Sequence, residues 1–261
     1  MNIREVLERY KRGDIDTTEA ERMLKLDFLE RIGNHTVFDH AREARRGIPE
    51  IILGDTKAPE SVAEVVRHVL EDRELVIVSR ASRLHYEAIK KSIGSKGVKW
   101  VDRAYMVVVD RRRNVKMNGR IGILTAGTSD ISIAEEARIV AEAMGCEVIT
   151  AYDIGIAAFH RFMDPLASML EKGCDALIVV AGMEGALPSV VSSLADVPVI
   201  GVPTSVGYGM GGEGVAALMS MLQTCSPGLV VVNIDNGVGA GATAALISGR
   251  CRARRKDGAG V

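Results

Sequence analysis

The second half of the chain alternates short apolar runs with glycine-rich polar segments. Five runs rich in valine and isoleucine recur between residues 119 and 250, and each is followed by a loop and a segment of helical periodicity. The runs are 121–124, 147–150, 176–180, 197–202 and 229–234. Continuous apolar runs separated by helices are typical of a parallel sheet buried on both faces. The pattern predicts a doubly wound, flavodoxin-like α/β domain over 117–250.

The first 116 residues predict a smaller α/β domain of their own. Helical periodicity indicates amphipathic helices over the first eleven residues and over 18–32, with Thr18 and Glu21 forming a capping box. Strands are predicted at 48–53, 75–78 and 105–109, and helices from Pro59 and over 86–93. The charged, turn-rich segment 111–119 marks the boundary between the domains. After the second domain, the basic segment 251–261 is expected to be a flexible tail.

Each predicted strand of the second domain ends in a loop of glycine and polar residues. These loops are 125–130, 152–155, 181–185, 203–207 and 233–237. In an open parallel sheet, the loops at the carboxyl ends of the strands line the ligand crevice. Glycine lets backbone N–H groups approach a phosphate closely, and the helix that follows adds partial positive charge at its N-terminus. The loops therefore predict a nucleotide-sized site.

Composition narrows the class of function. A length of 261 residues is enough for one large or two medium domains, and 47% hydrophobic with 26% charged residues is ordinary for a soluble globular protein. The formal net charge of -1 gives no global basic field, so we expect no nucleic-acid partner. The N-terminus has no apolar signal core and no run is long enough to cross a bilayer, so we expect a cytoplasmic protein with no membrane partner.

The four cysteines lack the spacing of a zinc site. Cys146 and Cys174 begin or precede apolar strands and are expected to be inert core thiols, whereas Cys251 is expected to be solvated in the tail. Cys225 lies between a predicted helix and the turn 226–228, so we expect it to be exposed at a helix-to-loop junction. A helix C-terminus disfavours a thiolate, so a reactive Cys225 would need a neighbouring cation.

Candidate substrate-binding residues lie in the glycine loops. They are Thr128, Ser129, Asp130, Asp153, Ser205, Tyr208, Gly209, Asp235 and Asn236. The hydroxyls and amides of 128–130 suit a phosphate, although a serine or aspartate there is also an ordinary helix N-cap. The loop that contains Ser205 and Tyr208 is predicted to form a wall or lid. Asp235 and Asn236 suit either ribose hydroxyls or a turn.

Charged residues supply the remaining candidates. Glu184, between two glycines, suits either a general base or a carboxylate stabilised by a helix N-terminus. His160 suits a site role or a structural one. Arg42 and Arg45 lie at helical spacing, so they form either a solvated, ion-paired face or the cations that bind an anionic dinucleotide. Two further candidates for that positive charge are Lys57 and Arg83.

Several segments resemble known families. The segments 127–130, 160–161, 181–188 and 197–203 resemble the aminoimidazole ribonucleotide mutase/carboxylase fold of purine synthesis. The chain is closer still to the LarB family, the nickel-pincer nucleotide biosynthesis carboxylase/hydrolases, and this resemblance covers nearly the whole chain. The segments that carry it are 39–42, Arg45, 47–50, 204–209, 225–228 and 233–241.

The resemblance to LarB implies a specific reaction. The substrate would be nicotinic acid adenine dinucleotide, whose pyridinium ring is carboxylated with carbon dioxide or bicarbonate and whose phosphoanhydride is hydrolysed. The products would be AMP and pyridinium-3,5-biscarboxylic acid mononucleotide, a nickel-cofactor precursor. Cys225 would form a covalent adduct with the ring, Glu184 would act as base, and the protein would be a homo-octamer. No tightly bound cofactor is expected, and Mg²⁺ is the candidate metal.

Two alternatives remain open at this point. One is a purine-type carboxylase or mutase that acts on aminoimidazole ribonucleotide, for which His160 and Arg161 would form the catalytic pair. The other is a non-catalytic nucleotide-binding regulatory module. The segments 215–222 and 240–247 also carry small apolar residues on all sides, more than one sheet face can bury. They therefore predict packing between subunits of a closed symmetric oligomer.

Overall fold

The computed structural model describes residues 3–26, 29–32, 36–39 and 47–258. The chain begins with α1 (Ile3–Arg12), α2 (Thr17–Leu26) and an antiparallel hairpin of β1 (Leu29–Ile32) and β2 (Thr36–Asp39). The predicted helix over 18–32 is therefore wrong beyond Leu26. Its expected capping box is also wrong, because the backbone N–H of Glu19 donates to Asp16 Oδ1 at 2.7 Å, one residue before α2 begins.

A four-stranded sheet follows, which we call the first sheet. Its strands are β3 (Glu50–Leu53), β4 (Leu75–Ser79), β5 (Val98–Val101) and β6 (Met106–Asp110), with helices α3 (Pro59–Asp72) and α4 (Arg83–Ile93). The order is β3-β4-β6-β5, in which β3 and β4 are parallel and the other pairs are antiparallel. The sequence did not predict β5. In its four residues, Lys99 lies between apolar neighbours. This alternation of apolar and polar residues is too short to identify a strand.

The second domain contains the main sheet. Its strands are β7 (Gly119–Thr125), β8 (Cys146–Ala151), β9 (Ala176–Ala181), β10 (Val199–Pro203) and β11 (Leu229–Val231). Its helices are α5 (Ile131–Ala143), α6 (His160–Glu171), α7 (Ala186–Leu194), α8 (Val215–Leu222) and α9 (Gly237–Gly258). All strands are parallel in the order β8-β7-β9-β10-β11, so the predicted flavodoxin-like, doubly wound arrangement is confirmed.

Alternating side chains of the main sheet pack on two different helical layers. Ile121 and Ile123 face α5 and α9, whereas Leu124 and its counterparts on neighbouring strands face α6, α7 and α8. The chain direction across the sheet reverses between β7 and β9, the topological switch point of this strand order. We call the edge at which these strands end the carboxyl edge, and the opposite edge the amino edge.

The helices α5 and α9 are shared by both sheets. Their other side packs on the first sheet, where Leu75, Ile77 and Met106 join Val140 and Ala242 in one buried cluster. Within the segment 240–247, Ala242 packs on the first sheet and Ala240 and Ala244 pack on the main sheet, but Leu246 is 42% exposed, so packing of this segment between subunits stays a prediction. In α8, by contrast, the apolar side chains of Val215, Met219 and Leu222 remain exposed.

The end of α9 also differs from the sequence prediction. Residues 251–258, expected to be part of a flexible tail, continue the helix, and Cys251 is half-buried. Among the described residues, no helix is long and apolar enough to cross a membrane.

Candidate active site

A cavity of about 740 Å³ lies at the switch point of the main sheet, on the carboxyl edge. The loops that follow β7, β8, β9 and β10 line it, and we call it the site cavity. Its position follows from topology, because neighbouring loops diverge where the connections change direction. Its size suits a nucleotide.

The side chain of Asp130 connects the loops after β7 and β10 by hydrogen bonds. Its Oδ2 accepts the Gly127 N–H at 2.8 Å, and its Oδ1 accepts the Thr204 hydroxyl at 2.7 Å, so the loops after β7 and β10 are joined. Asp130 and Thr204 are both buried. Burial raises the pKa of Asp130, although these hydrogen bonds oppose the rise. Thr204 was not a sequence candidate, because a lone threonine after a strand carries no signal of such a bond.

The hydroxyl residues of the first loop are accessible. Ser129 is exposed and lines the site cavity, whereas Thr128 is exposed without being part of the lining. Both belong to a short 3-10 turn, Thr128–Asp130, that leads directly into α5. A phosphate bound there would meet the N-terminus of α5.

The loop that carries Glu184 has a fixed and unusual backbone. Met183 and Gly185 both adopt left-handed conformations, with φ of 52° and 62°. The Met183 N–H donates to the Val206 carbonyl at 3.3 Å, and a Cβ on Gly185 would lie 2.8 Å from backbone atoms of Ala217. Glu184 is exposed and lines the site cavity, as a general base would require.

The fourth loop forms the outer wall of the site cavity. Val206, Gly207 and Tyr208 line it, and Tyr208 is 81% exposed. Ser205 is exposed, and its backbone N–H donates to Asp235 Oδ1 at 2.8 Å. Gly209 begins the next short turn and is not part of the lining.

Asp153 and His160 lie beside the site cavity and are not part of its lining. Asp153 has a left-handed backbone with φ of 58°, and its N–H donates to Thr125 Oγ1 at 3.0 Å. Its carboxylate is 3.7 Å from a guanidinium nitrogen of Arg161. His160 is exposed at the first residue of α6.

Cys225 lies at the opposite edge of the sheet from Glu184. It is exposed as predicted, in the connection between α8 and β11. The Gly228 carbonyl in this connection accepts the N–H of Val199, the first residue of β10, which fixes the connection at the amino edge. At about 3.3 Å per residue, the length of β9 separates the two edges by on the order of 20 Å. The structure does not bring Cys225 and Glu184 together within one chain.

The other thiols match the sequence expectation of inert core residues. Cys146 and Cys174 are buried, and burial raises the pKa of each to about 11. Thiolate formation, and hence nucleophilic reactivity, is therefore suppressed at both positions.

No lysine or arginine belongs to the described lining of the site cavity. The candidate cations Arg42 and Arg45 lie outside the described residues. Lys57 donates to the Leu53 carbonyl, and Arg83 stacks over the Tyr86 ring at 5.0 Å, so neither reaches the site cavity. Within the described part of the chain, no group of three or more His, Cys, Asp or Glu side chains is arranged to hold a metal ion.

Asp235 and Asn236 line a different cavity, of about 470 Å³, between the first sheet and α9. We call it the inter-sheet pocket. Asn236 caps α9, since its Oδ1 accepts the Gly239 N–H at 2.8 Å. The polar lining is completed by Ser79 and Arg80, at the end of β4, and by the buried Glu136 of α5. Sequence reasoning missed these three residues, because the pocket forms where the two domains meet.

Comparison with known proteins identifies both halves of the chain. Residues 29–111 match the model of the LarB/PurE-like N-terminal domain, and residues 120–257 match that of AIR carboxylase. An uncharacterized protein of Methanocaldococcus jannaschii is 42% identical over 251 residues, which are 95% of this chain and 97% of the relative.

Relatives with a named enzymatic activity match about half of this chain. A probable N5-carboxyaminoimidazole ribonucleotide mutase of Methanothermobacter thermautotrophicus is 33% identical over 51% of this chain and 39% of its own length. The N5-carboxyaminoimidazole ribonucleotide mutase of Thermotoga maritima is 32% identical over 50% of this chain and 75% of its own length. The fold, the site cavity and these matches define an enzyme of the AIR carboxylase and mutase class. With its N-terminal domain included, the chain belongs to the LarB family.

Proposed function

We propose that the protein carboxylates the pyridinium ring of nicotinic acid adenine dinucleotide and hydrolyses its phosphoanhydride, releasing AMP. The observation that carries this proposal is the joining of a LarB-type N-terminal domain to an AIR-carboxylase-type domain in one chain. The accessible carboxylate of Glu184, in a nucleotide-sized cavity lined by glycine loops, supports it.

Carboxylation of this ring needs a nucleophile first, because a pyridinium ring does not attack electrophiles. The thiolate of Cys225 adds to a ring carbon and forms a new C–S bond, giving a neutral dihydropyridine with enamine character. The meta carbon then attacks carbon dioxide and forms the C–C bond. Glu184 removes the proton from that carbon, and expulsion of the thiolate breaks the C–S bond and restores the aromatic cation.

This chemistry requires Cys225 and Glu184 to come from different copies of the chain. The two residues lie at opposite edges of the same main sheet, on the order of 20 Å apart by strand length. The exposed apolar residues of α8, Val215, Met219 and Leu222, lie on the helix that leads to Cys225 and offer a surface for another copy. We therefore propose a homo-oligomer, an octamer by family resemblance, whose sites are completed across subunit contacts.

A second candidate function is that of an N5-carboxyaminoimidazole ribonucleotide mutase. The observation in its favour is the 33% identity of the second domain to a probable enzyme of that name. His160 and Arg161 lie beside the site cavity, where such an enzyme would use them. This candidate gives no role to Cys225 or to the N-terminal domain.

The test is incubation of the purified protein with nicotinic acid adenine dinucleotide and ¹³C-bicarbonate, followed by mass spectrometry. We expect one labelled carboxyl group in the mononucleotide product and one AMP per product. Parallel reactions with added Mg²⁺ and with a chelator measure any metal requirement. Absence of labelled product, together with turnover of N5-carboxyaminoimidazole ribonucleotide, would overturn the proposal in favour of the mutase.

A further inference from the structure

The inter-sheet pocket has a polar floor, by which we mean the buried carboxylate of Glu136. Glu136 is only 4% exposed, yet it lines the pocket. Among the described residues its carboxylate has no salt bridge, and its hydrogen-bond partner is the Val238 N–H in the first turn of α9. A Cβ on Gly237 would lie 2.9 Å from Glu136 Cβ. The absence of a side chain at Gly237 therefore allows α9 to pack closely against α5. A buried carboxylate with one backbone partner retains capacity for further hydrogen-bond donors.

The charges around Glu136 limit what this floor can bind. Burial raises the pKa of Glu136 to about 7, with Arg80 opposing the rise and Asp235 adding to it. An anionic group on the floor would meet this carboxylate and that of Asp235. A pair of hydroxyl groups, in contrast, would donate to both oxygens of Glu136 without adding charge.

The rest of the pocket presents two further kinds of surface. Its walls are aliphatic, from Ile48, Ile51 and Leu53 on one side and Val238 on the other. At its mouth lies the exposed guanidinium of Arg80, of which one nitrogen donates to the Asp235 carbonyl at 3.4 Å and the others are available. These three surfaces match the three parts of a ribonucleoside monophosphate. The floor suits the vicinal hydroxyls of the ribose, the walls suit the flat apolar base, and the guanidinium at the mouth suits the anionic phosphate.

We propose that the inter-sheet pocket binds a ribonucleoside 5′-monophosphate unit. Glu136 accepts the 2′- and 3′-hydroxyls, the aliphatic walls hold the base, and Arg80 binds the phosphate. The occupant we assign, the AMP half of the dinucleotide, rests on the proposed function. The pocket opens on the same carboxyl edge as the site cavity, and the hydrogen bond from Ser205 to Asp235 joins the walls of the two cavities.

The experiment measures AMP binding by calorimetry to the full-length protein and its variants. At pH 8, where Glu136 is ionised, the wild type is expected to bind AMP about tenfold more tightly than 2′,3′-dideoxyadenosine monophosphate, because each hydroxyl then hydrogen-bonds to a charged group. Glu136→Gln is expected to weaken AMP binding about tenfold and to lose this discrimination. Arg80→Gln is expected to weaken both ligands equally.

Matched controls are Glu135→Gln and Arg83→Gln, which remove neighbouring charges that do not line the pocket. Both are expected to bind AMP like the wild type. No saturable binding at millimolar AMP, equal binding of the dideoxy analogue, or an unchanged Glu136→Gln would overturn the proposal. If labelled product forms while the pocket variants keep the wild-type KM, the pocket assignment alone fails. If AMP binds as expected and no product forms, the proposed reaction alone fails.

Discussion

The carboxyl and amino edges of the main sheet are built differently. At the carboxyl edge, exposed polar side chains such as Ser129, Glu184 and Tyr208 stand on loops held by glycine and by backbone hydrogen bonds. At the amino edge, the buried Ser248 donates a 2.6 Å hydrogen bond to the buried Asp175, and the more exposed Arg120 and Glu147 form an ion pair. Cys225 is a free, exposed thiol at this edge. In the proposed function, the carboxyl edge forms the site and the amino edge supplies Cys225 to another copy.

The largest effect is expected when the proposed reactive group at either edge is removed. Cys225→Ser and Glu184→Gln should each lower carboxylation at least about 1,000-fold while the fold is retained, since each removes a group that reacts with the ring. Co-expression of the two variants should restore about one quarter of the wild-type activity, because random assembly places both native groups in that share of sites. Product formation is measured by mass spectrometry.

Cys146→Ala and Cys174→Ala serve as controls and should keep most of the activity. A mixed oligomer with no activity would mean that the two groups act within one chain, and near-normal activity of either single variant would mean that its group is not needed.

A second prediction compares two adjacent buried carboxylates of α5, Glu136 and Glu135. Because the pKa of Glu136 is raised from 4.5 to about 7, the folded protein holds a proton that the unfolded chain releases. Stability is therefore lost as the pH rises from about 4.5 to about 7, by about 3 kcal/mol. Glu136→Gln should be more stable than the wild type at pH 8 by about that amount, and the gain should vanish near pH 4, as measured by urea denaturation.

For Glu135→Gln, we expect a change in stability of the opposite sign. Burial raises the pKa of Glu135, but hydrogen bonds from Arg138 and Tyr152 outweigh this and lower it overall. This variant should lose stability at pH 8. A pH-independent difference between Glu136→Gln and the wild type would contradict the assignment of a raised pKa.

The third prediction concerns the geometry of the loops. A Cβ on Gly182 would collide with the Val206 carbonyl and lie 2.7 Å from Thr204 Oγ1. Gly182→Ala should cost about 2 kcal/mol of stability and lower activity up to about 100-fold, because the Glu184 loop must shift. At the amino edge, a Cβ on Gly173 would have no atom within 4 Å. The strain in Gly173→Ala would therefore come from the left-handed backbone alone, with φ of 69°. This substitution should cost about 1 kcal/mol and leave the kinetics unchanged.

The smallest effect tests the structural role of the amino edge. Ser248→Ala removes the hydrogen bond to the buried Asp175, so it should cost about 1 kcal/mol and leave kcat and KM unchanged. Ser193→Ala, at an exposed position, should stay within about 0.5 kcal/mol of the wild type. A drop in kcat for Ser248→Ala would mean that the amino edge does more than support the fold.

The main sheet and its carboxyl edge were predictable from the sequence. Its strands are apolar runs, fully buried in β9 and β10 and more exposed in the edge strands β8 and β11, and each run ends in a glycine loop, so local pattern and topology agree. The site cavity lies where the loops of 127–130 and 181–185 meet, as those patterns indicated.

The features that sequence reasoning missed depend on contacts between distant elements. The strand β1 continues the apolar pattern of α2, which does not distinguish a short strand from another helical turn. Glu136 looks like one charged residue of an ordinary helix, and only the packing of α9 against α5 buries it. The placement of Cys225 at the amino edge, in contrast, follows from the sequence pattern, because a helix between two parallel strands returns the chain from the carboxyl edge to the amino edge.

The helical layer shared by the two sheets has a consequence for synthesis of the chain. On the ribosome, β4 and β6 emerge well before α5 and long before α9, yet in the described part of the chain these two helices pack on the apolar face formed by Leu75, Ile77 and Met106. The nascent N-terminal domain therefore carries an uncovered hydrophobic face until the last helix has been translated. We therefore expect the two domains, which occupy separate stretches of sequence, to complete their folding together.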